Sequence, residues 1–387
     1  MGRPGSRRWG SVLFLVSSAC SAFIFCEYFI YFPVILRCSW PHAEWAEAEE
    51  SEVLRVFILS DTHLLGVIRG HWFDKLRREW QMERAFQTAL WHLRPQVVFI
   101  LGDVFDEGKW SSPEDWEDDV RRFQHMFRHP NNTELIVLVG NHDVGFHHEM
   151  SSFKLQRFEK VFGVNSARIF TKKGINFLLV NSVAMQGDGC PICHAVENKL
   201  LRLSRELSCS MQSLEPNGEQ QQCRGTRRFP PSPPVLLQHY PLYRGSDANC
   251  TGQDAALPQE RHLLFQERYD VLSKAASRKL LQWFQPRLIL SGHTHNGCEV
   301  LHEEKHPEIS VPSFSWRNRN NPSFILGIFS SSHFALSKCF LPQESTVIAI
   351  YATAGVTAAL LPLVHWFCFK GSSLMGLMGL MGKHKSL

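Results

Sequence analysis

The 387-residue chain has little charge of either sign to spare: 41 basic residues stand against 37 acidic ones, leaving +4, and no long block of one sign occurs. A nucleic-acid partner needs a basic patch, and none is implied. No internal repeat is visible. No second cysteine pair stands at zinc-ribbon spacing from Cys190-Pro191-Ile192-Cys193, so a plain disulfide, or no role, is expected of that pair rather than a zinc site. The length is great for one domain and small for three, which allows one large globular domain with appendages.

Charge is scarcest in two stretches. From Ser11 to Leu36 the only charge is Glu27, and from Thr346 to Phe369 there is no acidic or basic residue except His365. Each is long enough to cross a bilayer core, which takes about 20 apolar residues. Arg3, Arg7 and Arg8 precede the first stretch, Glu44, Glu47, Glu49 and Glu50 follow a lone Arg37, and Lys370 follows the second stretch. The positive-inside rule then puts both tails in the cytosol. The expected organisation is a cytosolic N-terminus (1–10), a transmembrane helix (11–36), a lumenal stalk (37–52), a lumenal globular domain (53–340), a second transmembrane helix (346–369) and a cytosolic tail (370–387). Small residues at 18–22 would suit a signal peptidase, but the apolar run continues well past them, which favours an uncleaved anchor.

Eight of eleven cysteines (Cys38, Cys190, Cys193, Cys209, Cys223, Cys250, Cys298 and Cys339) fall between the two apolar stretches. A lumenal compartment permits disulfides among them, with the pairing open. Asn131-Asn132-Thr133 and Asn249-Cys250-Thr251 are glycosylation sequons, usable on that side.

Within the globular region, Val53 to Leu59, Val97 to Leu101, Leu135 to Val139, Ile175 to Val180, Val235 to Gln238 and Leu288 to Leu290 have the apolar density of buried strands. Helices are expected over Glu79 to Leu93, Pro113 to about Phe127 with Ser112 as cap, near Ala195 to Leu207, and Asp270 to Gln285. Short late strands at Glu299–Leu301, Ile309–Val311 and Phe324–Phe329 make the late sheet antiparallel or mixed. The pattern degrades between 182 and 234, expected to be an insertion, partly disordered around Pro216 to Pro234.

Residues just past the strands carry the chemistry. Asp61-Thr62-His63, Gly102-Asp103, Gly140-Asn141-His142-Asp143, His239 and Ser291-Gly292-His293-Thr294-His295 each stand at the end of a strand-like run. Ligands of α/β proteins gather at such carboxyl ends. In Asp61-x-His63 an extended backbone would point both side chains the same way. Asp61, His63, Asp103, Asn141, His142, His239, His293 and His295 offer carboxylate, amide and imidazole atoms that suit a divalent ion such as Mn, Fe or Zn. Eight candidates exceed one tetrahedral site, whereas two ions sharing a carboxylate would clamp an in-line phosphoryl displacement. Asp106 and Gly108 are expected only to shape the loop after Asp103, and His147 and His148 to be exposed loop residues.

These motifs, in this order, resemble those of the calcineurin-like metallophosphoesterases over about residues 53–330. The resemblance implies a four-layer α/β/β/α sandwich with two mixed sheets and a dinuclear site at one edge. It puts Asp61, His63, Asp103 and His295 around one ion and Asp103, Asn141, His239 and His293 around the other. It makes His142 the histidine that contacts the phosphoryl or leaving-group oxygen, with Asp143 orienting it, and a metal-bridging water or hydroxide the in-line nucleophile. Gly140 is expected to permit a sharp exit from the strand.

Asp103-Val104-Phe105-Asp106-Glu107-Gly108, the two apolar stretches and the tail Lys383-His384-Lys385-Ser386-Leu387 further resemble the membrane-anchored branch of that family that removes an ethanolamine phosphate side branch from GPI anchors. That resemblance implies manganese, GPI-anchored proteins as substrates, cytosolic coat machinery recognising Lys383 and Lys385, and residence in the endoplasmic reticulum, its exit sites and the early Golgi. The alternatives left open are another lumenal phosphomonoesterase or nucleotide phosphohydrolase, and a non-catalytic cargo-binding scaffold.

Overall fold

Val56-Phe57-Ile58-Leu59 is apolar at every position, so a strand there must be covered on both faces. The computed structural model, which describes residues 4–48, 52–185, 190–212, 223 and 228–382, supplies both covers. It divides into two units, Val34–Leu341 and the paired terminal segments Met1–Pro33 and Pro342–Leu387.

The elements begin with α1 (Pro4–Ile24), a π-helical turn (Phe25–Phe29), α2 (Tyr31–Ile35), α3 (Glu44–Ala48), β1 (Leu54–Leu59), α4 (Trp72–Leu93), β2 (Val97–Ile100) and α5 (Pro113–Met126). Then come β3 (Glu134–Val137), α6 (Asn141–Val144), α7 (Ser152–Phe162), β4 (Ala167–Lys172), β5 (Ile175–Val180), a 3-10 turn (Ser182–Ala184), α8 (Pro191–Gln212) and β6 (Val235–Gln238). The chain continues through α9 (Lys274–Phe284), β7 (Leu288–Ser291), β8 (Cys298–His302), β9 (His306–Ser310), β10 (Ser323–Phe329), β11 (Phe334–Phe340) and α10 (Glu344–Gly382).

Two mixed sheets result. The first has the order β11-β10-β1-β2-β3, with β1, β2 and β3 parallel; the second has the order β4-β5-β6-β7-β9-β8, with β5, β6, β7 and β9 parallel. Val56, Ile58, Val97 and Phe99 of the first sheet meet Phe177, Leu179, Leu237 and Leu290 of the second in one buried cluster. On the outer face of the first sheet Phe57 stacks on Phe86 of α4 at 5.8 Å. Leu178, Leu236 and Ile289 turn outward from the second sheet against Leu200 of α8 and Leu280 of α9. Helix, sheet, sheet and helix therefore succeed one another, and each fully buried Leu, Ile or Phe contributes about 1.5–3 kcal/mol to holding them together.

Several expectations need correcting. α4 starts at Trp72 rather than Glu79, on His71 whose side chain accepts from Phe73 N; its first two turns depart from the periodicity because Trp72, Phe73 and Leu76 are exposed. Within 182–234 the helix expected near Ala195 to Leu207 is longer, α8, and buries Val196, Leu200 and Leu207 as part of the outer layer. The disorder expected around Pro216 to Pro234 falls partly on 213–222 and 224–227, outside the described residues. The 37–52 stalk is partly docked: Cys38 is bridged to Cys339, the Trp40 indole donates to the Leu93 carbonyl at 3.1 Å, and Trp45 stacks on His333. α7, β4 and β11 lie outside the expected elements; β4 and β11 are edge strands, β4 half-exposed on one face and β11 along nearly its whole length, which dilutes their apolar signal.

The eight cysteines pair as Cys38–Cys339, Cys190–Cys193, Cys209–Cys223 and Cys250–Cys298. Asn131 and Asn249, the sequon asparagines, are exposed. Leu13–Ile35 and Glu344–Leu361 are helical, long and apolar enough to cross a membrane by length and composition. Glu27, the one charge of the first, accepts a hydrogen bond from the Tyr351 hydroxyl of the second. Lys383 and Lys385 lie outside the described residues.

Candidate metal centre

β1, β2 and β3 of one sheet and β6 and β7 of the other end at the same edge, each followed within a short loop by the polar candidates. The backbone there is not extended. Asp61, His63, Asp103, His293 and His295 have φ of 53°, 44°, 47°, 71° and 59°, a left-handed conformation that costs a non-glycine residue about 1–3 kcal/mol. The expected extended Asp61-x-His63 is thus corrected: a left-handed kink at both positions turns both side chains inward. Five strained residues among seven candidate ligands mark a place where side-chain convergence has outweighed backbone preference.

The side chains form two overlapping groups. Asp61, His63 and His295 bring their ligand atoms within 4.8 Å of one another, as do Asp103, His239 and His293. Asn141 Oδ1 joins the second group, 3.1 Å from His239 Nε2. Asp103 Oδ2 faces both, 3.6 Å from His63 Nε2 and 3.2 Å from His239 Nε2, the position of a bridging carboxylate. All these carboxylates are buried.

The donor set fits a pair of cations. His63 Nδ1 is tied to the Asp106 carboxylate at 2.9 Å, His239 Nδ1 donates to the Leu101 carbonyl at 2.8 Å, and His293 Nε2 donates to the Tyr269 carbonyl at 2.8 Å. With one ring nitrogen committed as donor, the other in each neutral imidazole carries a lone pair. Those nitrogens face each other and further acceptors: His63 Nε2 lies 3.1 Å from His295 Nε2, and His239 Nε2 lies 3.2 Å from His293 Nδ1. Lone pairs so close need a positive charge between them.

Without metal, protons fill that need. Burial works against charge on His63, but the Asp106, Asp61 and Asp103 carboxylates outweigh it and hold its pKa up to about 10. Burial likewise opposes charge on His239, and Asp103 and Asp61 raise it to about 9. Burial, aided by the neighbouring charged imidazoles, pushes His293 down to about 3 and His295 to about 4. One imidazole of each facing pair is therefore protonated and the other accepts. Burial alone would raise Asp103, yet His239, His142 and His63 hold it well below the usual carboxylate range.

His142 stands beside these groups, its ring 4.7 Å from that of His63 and its backbone N–H donating to Asp103 Oδ1 at 2.8 Å. The expectation that Asp143 orients this ring is corrected. The Asp143 carboxylate accepts from Phe105 N and Gly140 N, at 2.9 and 2.8 Å, and pins the two loops together. His142 Nδ1 is held instead by the Asp106 carbonyl at 2.8 Å. Burial and the adjacent Asp103 push Asp143 up to about 7.

Asp106 thus does more than shape its loop. Its carboxylate binds His63 and lies 3.5 Å from Arg317 Nη2; despite burial, these cations hold its pKa at about 2. Two aspartates three apart in a strand-exit loop were the available signal for it, whereas the Leu101 and Tyr269 carbonyls have no sequence signature. Gly140 is also reassigned: its φ of −116° suits any residue, and what requires glycine is that a Cβ would fall on Asp103. Gly102 does need its freedom, with φ of 94°. His147 is half-buried rather than exposed, and its ring reaches Cys190 and Cys193.

Residues 54–297 match the model of a family described as calcineurin-like phosphoesterase. A protein named Metallophosphoesterase 1 from Danio rerio is 65% identical over 373 residues, covering 96% of this chain and 96% of that one. Proteins of the same name from Gallus gallus and Rattus norvegicus are 59% and 58% identical, covering 94% and 96% of this chain and 92% and 93% of theirs.

Proposed function

This chain belongs to the calcineurin-like phosphoesterase family and is a metal-dependent phosphoric ester hydrolase; on that footing we propose that it is a phosphodiesterase that removes an ethanolamine phosphate side branch from the glycan of GPI anchors. The observation that carries the hydrolytic part is the pair of facing imidazole couples around Asp103, with His142 alongside. Asp61, His63, Asp103, Asn141, His239, His293 and His295 would hold two divalent cations, which when bound would supply Lewis-acid neutralisation of the phosphoryl oxygens and activation of a water. Manganese is the proposed metal, on the resemblance of the motifs and flanking segments; the ligand types themselves suit Mn, Fe or Zn.

The chain's own residues do the rest. With Nδ1 donating to the Asp106 carbonyl, the His142 ring is fixed in orientation, and its Nε2 is free to serve the leaving oxygen of a diester as general acid. Arg317, anchored by Asp106 at the edge of the centre, adds a fixed positive charge. Asp143 holds the Phe105 and Gly140 loops so that Asp103 and Asn141 keep their places.

The GPI substrate rests on the sequence from Asp103 to Gly108, the two apolar stretches and the Lys383 and Lys385 tail. In this reading both helices span, the catalytic unit is lumenal, both tails are cytosolic, and coat machinery retrieves the protein between early Golgi and endoplasmic reticulum. Four disulfides and two sequons with exposed asparagines support an oxidising, glycosylating compartment. The test is to delete the protein from cells and analyse the side branches on their GPI anchors. Persistent ethanolamine phosphate that wild-type, but not His142→Ala, removes is expected; unaltered anchors would reduce the reading to an unspecified phosphoesterase.

A further inference from the structure

Cys190 and Cys193 have no part in phosphoester chemistry, and their disulfide differs in kind from the other three. Cys38–Cys339, Cys250–Cys298 and Cys209–Cys223 join residues 301, 48 and 14 apart, whereas Cys190–Cys193 closes a loop of only 3. The stabilisation a disulfide gives by restraining the unfolded chain grows with the loop it closes, so this bridge is the poorest staple of the four. What it does have is the setting of a reactive dithiol. It sits at the N-terminal end of the 22-residue helix α8, with Pro191 at the helix start. Cys193 N donates to Cys190 Sγ at 3.0 Å, a bond that stabilises a thiolate there. Cys193 is buried, 3% exposed, while Cys190 is only partly covered, so an incoming thiol reaches Cys190. A ring nitrogen of His147 lies within 4.8 Å of both sulfurs, placing a proton acceptor and donor beside them.

We propose that Cys190–Cys193 is a redox-active disulfide that exchanges with low-molecular-weight thiols of the glutathione type, with Cys190 the attacked sulfur and Cys193 the resolving one. The thiolate of a first thiol bonds to Cys190 Sγ and breaks the Cys190–Cys193 bond, and the electron pair leaves on Cys193, which takes a proton with His147 as the relay. A second thiolate attacks the thiol-derived sulfur of the mixed disulfide, releasing the small-molecule disulfide and the Cys190 thiolate, which the Cys193 N–H stabilises. Two thiols are oxidised and one disulfide is reduced, so the exchange balances. His147 is three residues past α6, and the neighbouring Phe146 stacks on Tyr269 at 4.8 Å, whose carbonyl holds His293. The exchange site is thus continuous with the loops that carry the metal centre, although it is chemically independent of the phosphoesterase reading.

The test is differential alkylation and mass spectrometry of the full chain, folded in detergent and equilibrated in reduced and oxidised glutathione at varied ratio. Cys190 and Cys193 are expected to become alkylated together at intermediate ratios while Cys38–Cys339 and Cys250–Cys298 stay oxidised. Cys193→Ser is expected to accumulate a glutathione adduct on Cys190, and His147→Ala to slow exchange several-fold at neutral pH with less effect at high pH. Should Cys190–Cys193 open only together with the long-range bridges, or should folded Cys193→Ser gather no adduct, the proposal is overturned. Circular dichroism of each variant separates either result from misfolding.

Discussion

Asp106 and His63 are joined by a 2.9 Å hydrogen bond between carboxylate and Nδ1, which leaves Nε2 of His63 to face the metal centre. The carboxylate raises the basicity of the ligand it orients, and the carbonyl of the same residue holds His142. Asp106→Asn keeps the shape and removes the charge. Metal affinity is expected to fall about 10- to 100-fold, the usual cost of losing such a partner. Metal-dependent activity titrations check it: activity recovers at high metal concentration, and an unshifted titration would remove Asp106 from this role.

His142 and Asp103 separate chemistry from metal retention. His142→Ala is expected to keep the metal content while lowering turnover about 10²- to 10⁴-fold, the contribution of a positioned acid. Asp103→Ala, which removes the carboxylate facing both groups, should lose metal and turnover together. Metal analysis beside single-turnover assays tells them apart, and an Asp103→Ala enzyme with full metal and full activity would sink the bridging assignment.

Metal loading should depend on pH with a definite sign. In the metal-free protein His63 and His239 hold protons up to about pH 10 and 9, while His293 and His295, at about 3 and 4, hold none at neutral pH. Each cation must displace one proton, so lowering the pH favours the proton and raising it favours the metal. Below about pH 9 the apparent association constant of each site is expected to rise about tenfold per pH unit. Chelator-competition titrations between pH 6 and 8 measure this; a flat profile contradicts it.

Gly140 is predicted to be intolerant for a steric reason. A methyl at Gly140 would fall on the backbone N and carboxylate of Asp103. Gly140→Ala should therefore fold, since its backbone angles are ordinary, yet displace Asp103 and lower turnover by about 100-fold, the scale set by displacements of about 1 Å in an active site. Unchanged circular dichroism with the lowered turnover is the expected pair of results.

Much of the site was legible because it lies at strand ends. Apolar runs such as Val97 to Ile100 and Val235 to Gln238 mark where buried strands end, and the residues just past them, Asp103 and His239, are recognisable by position. The α8 layer was harder to see: its apolar residues are spaced for a helix within a segment rich in Gln, Pro and Cys. Tyr269 and Leu101 contribute through backbone carbonyls, which any residue possesses.

The sequence by itself determined the inventory: which residues can ligate, that they stand just past strands, and that two terminal stretches are apolar enough to span a membrane. Only the tertiary structure decided the division of labour. Asp143 is the chain neighbour of His142 and Asp106 lies a short way past Asp103, and nothing in that placement says which ring each serves. The left-handed turns at Asp61, His63 and Asp103 and the approach of two sheets at one edge settled it, giving Asp106 to His63 and His142 and giving Asp143 to the backbone. Hydrogen bonds across loops 36 to 43 residues apart are set by how strands pair and twist, and chain-local patterns do not encode that distance directly.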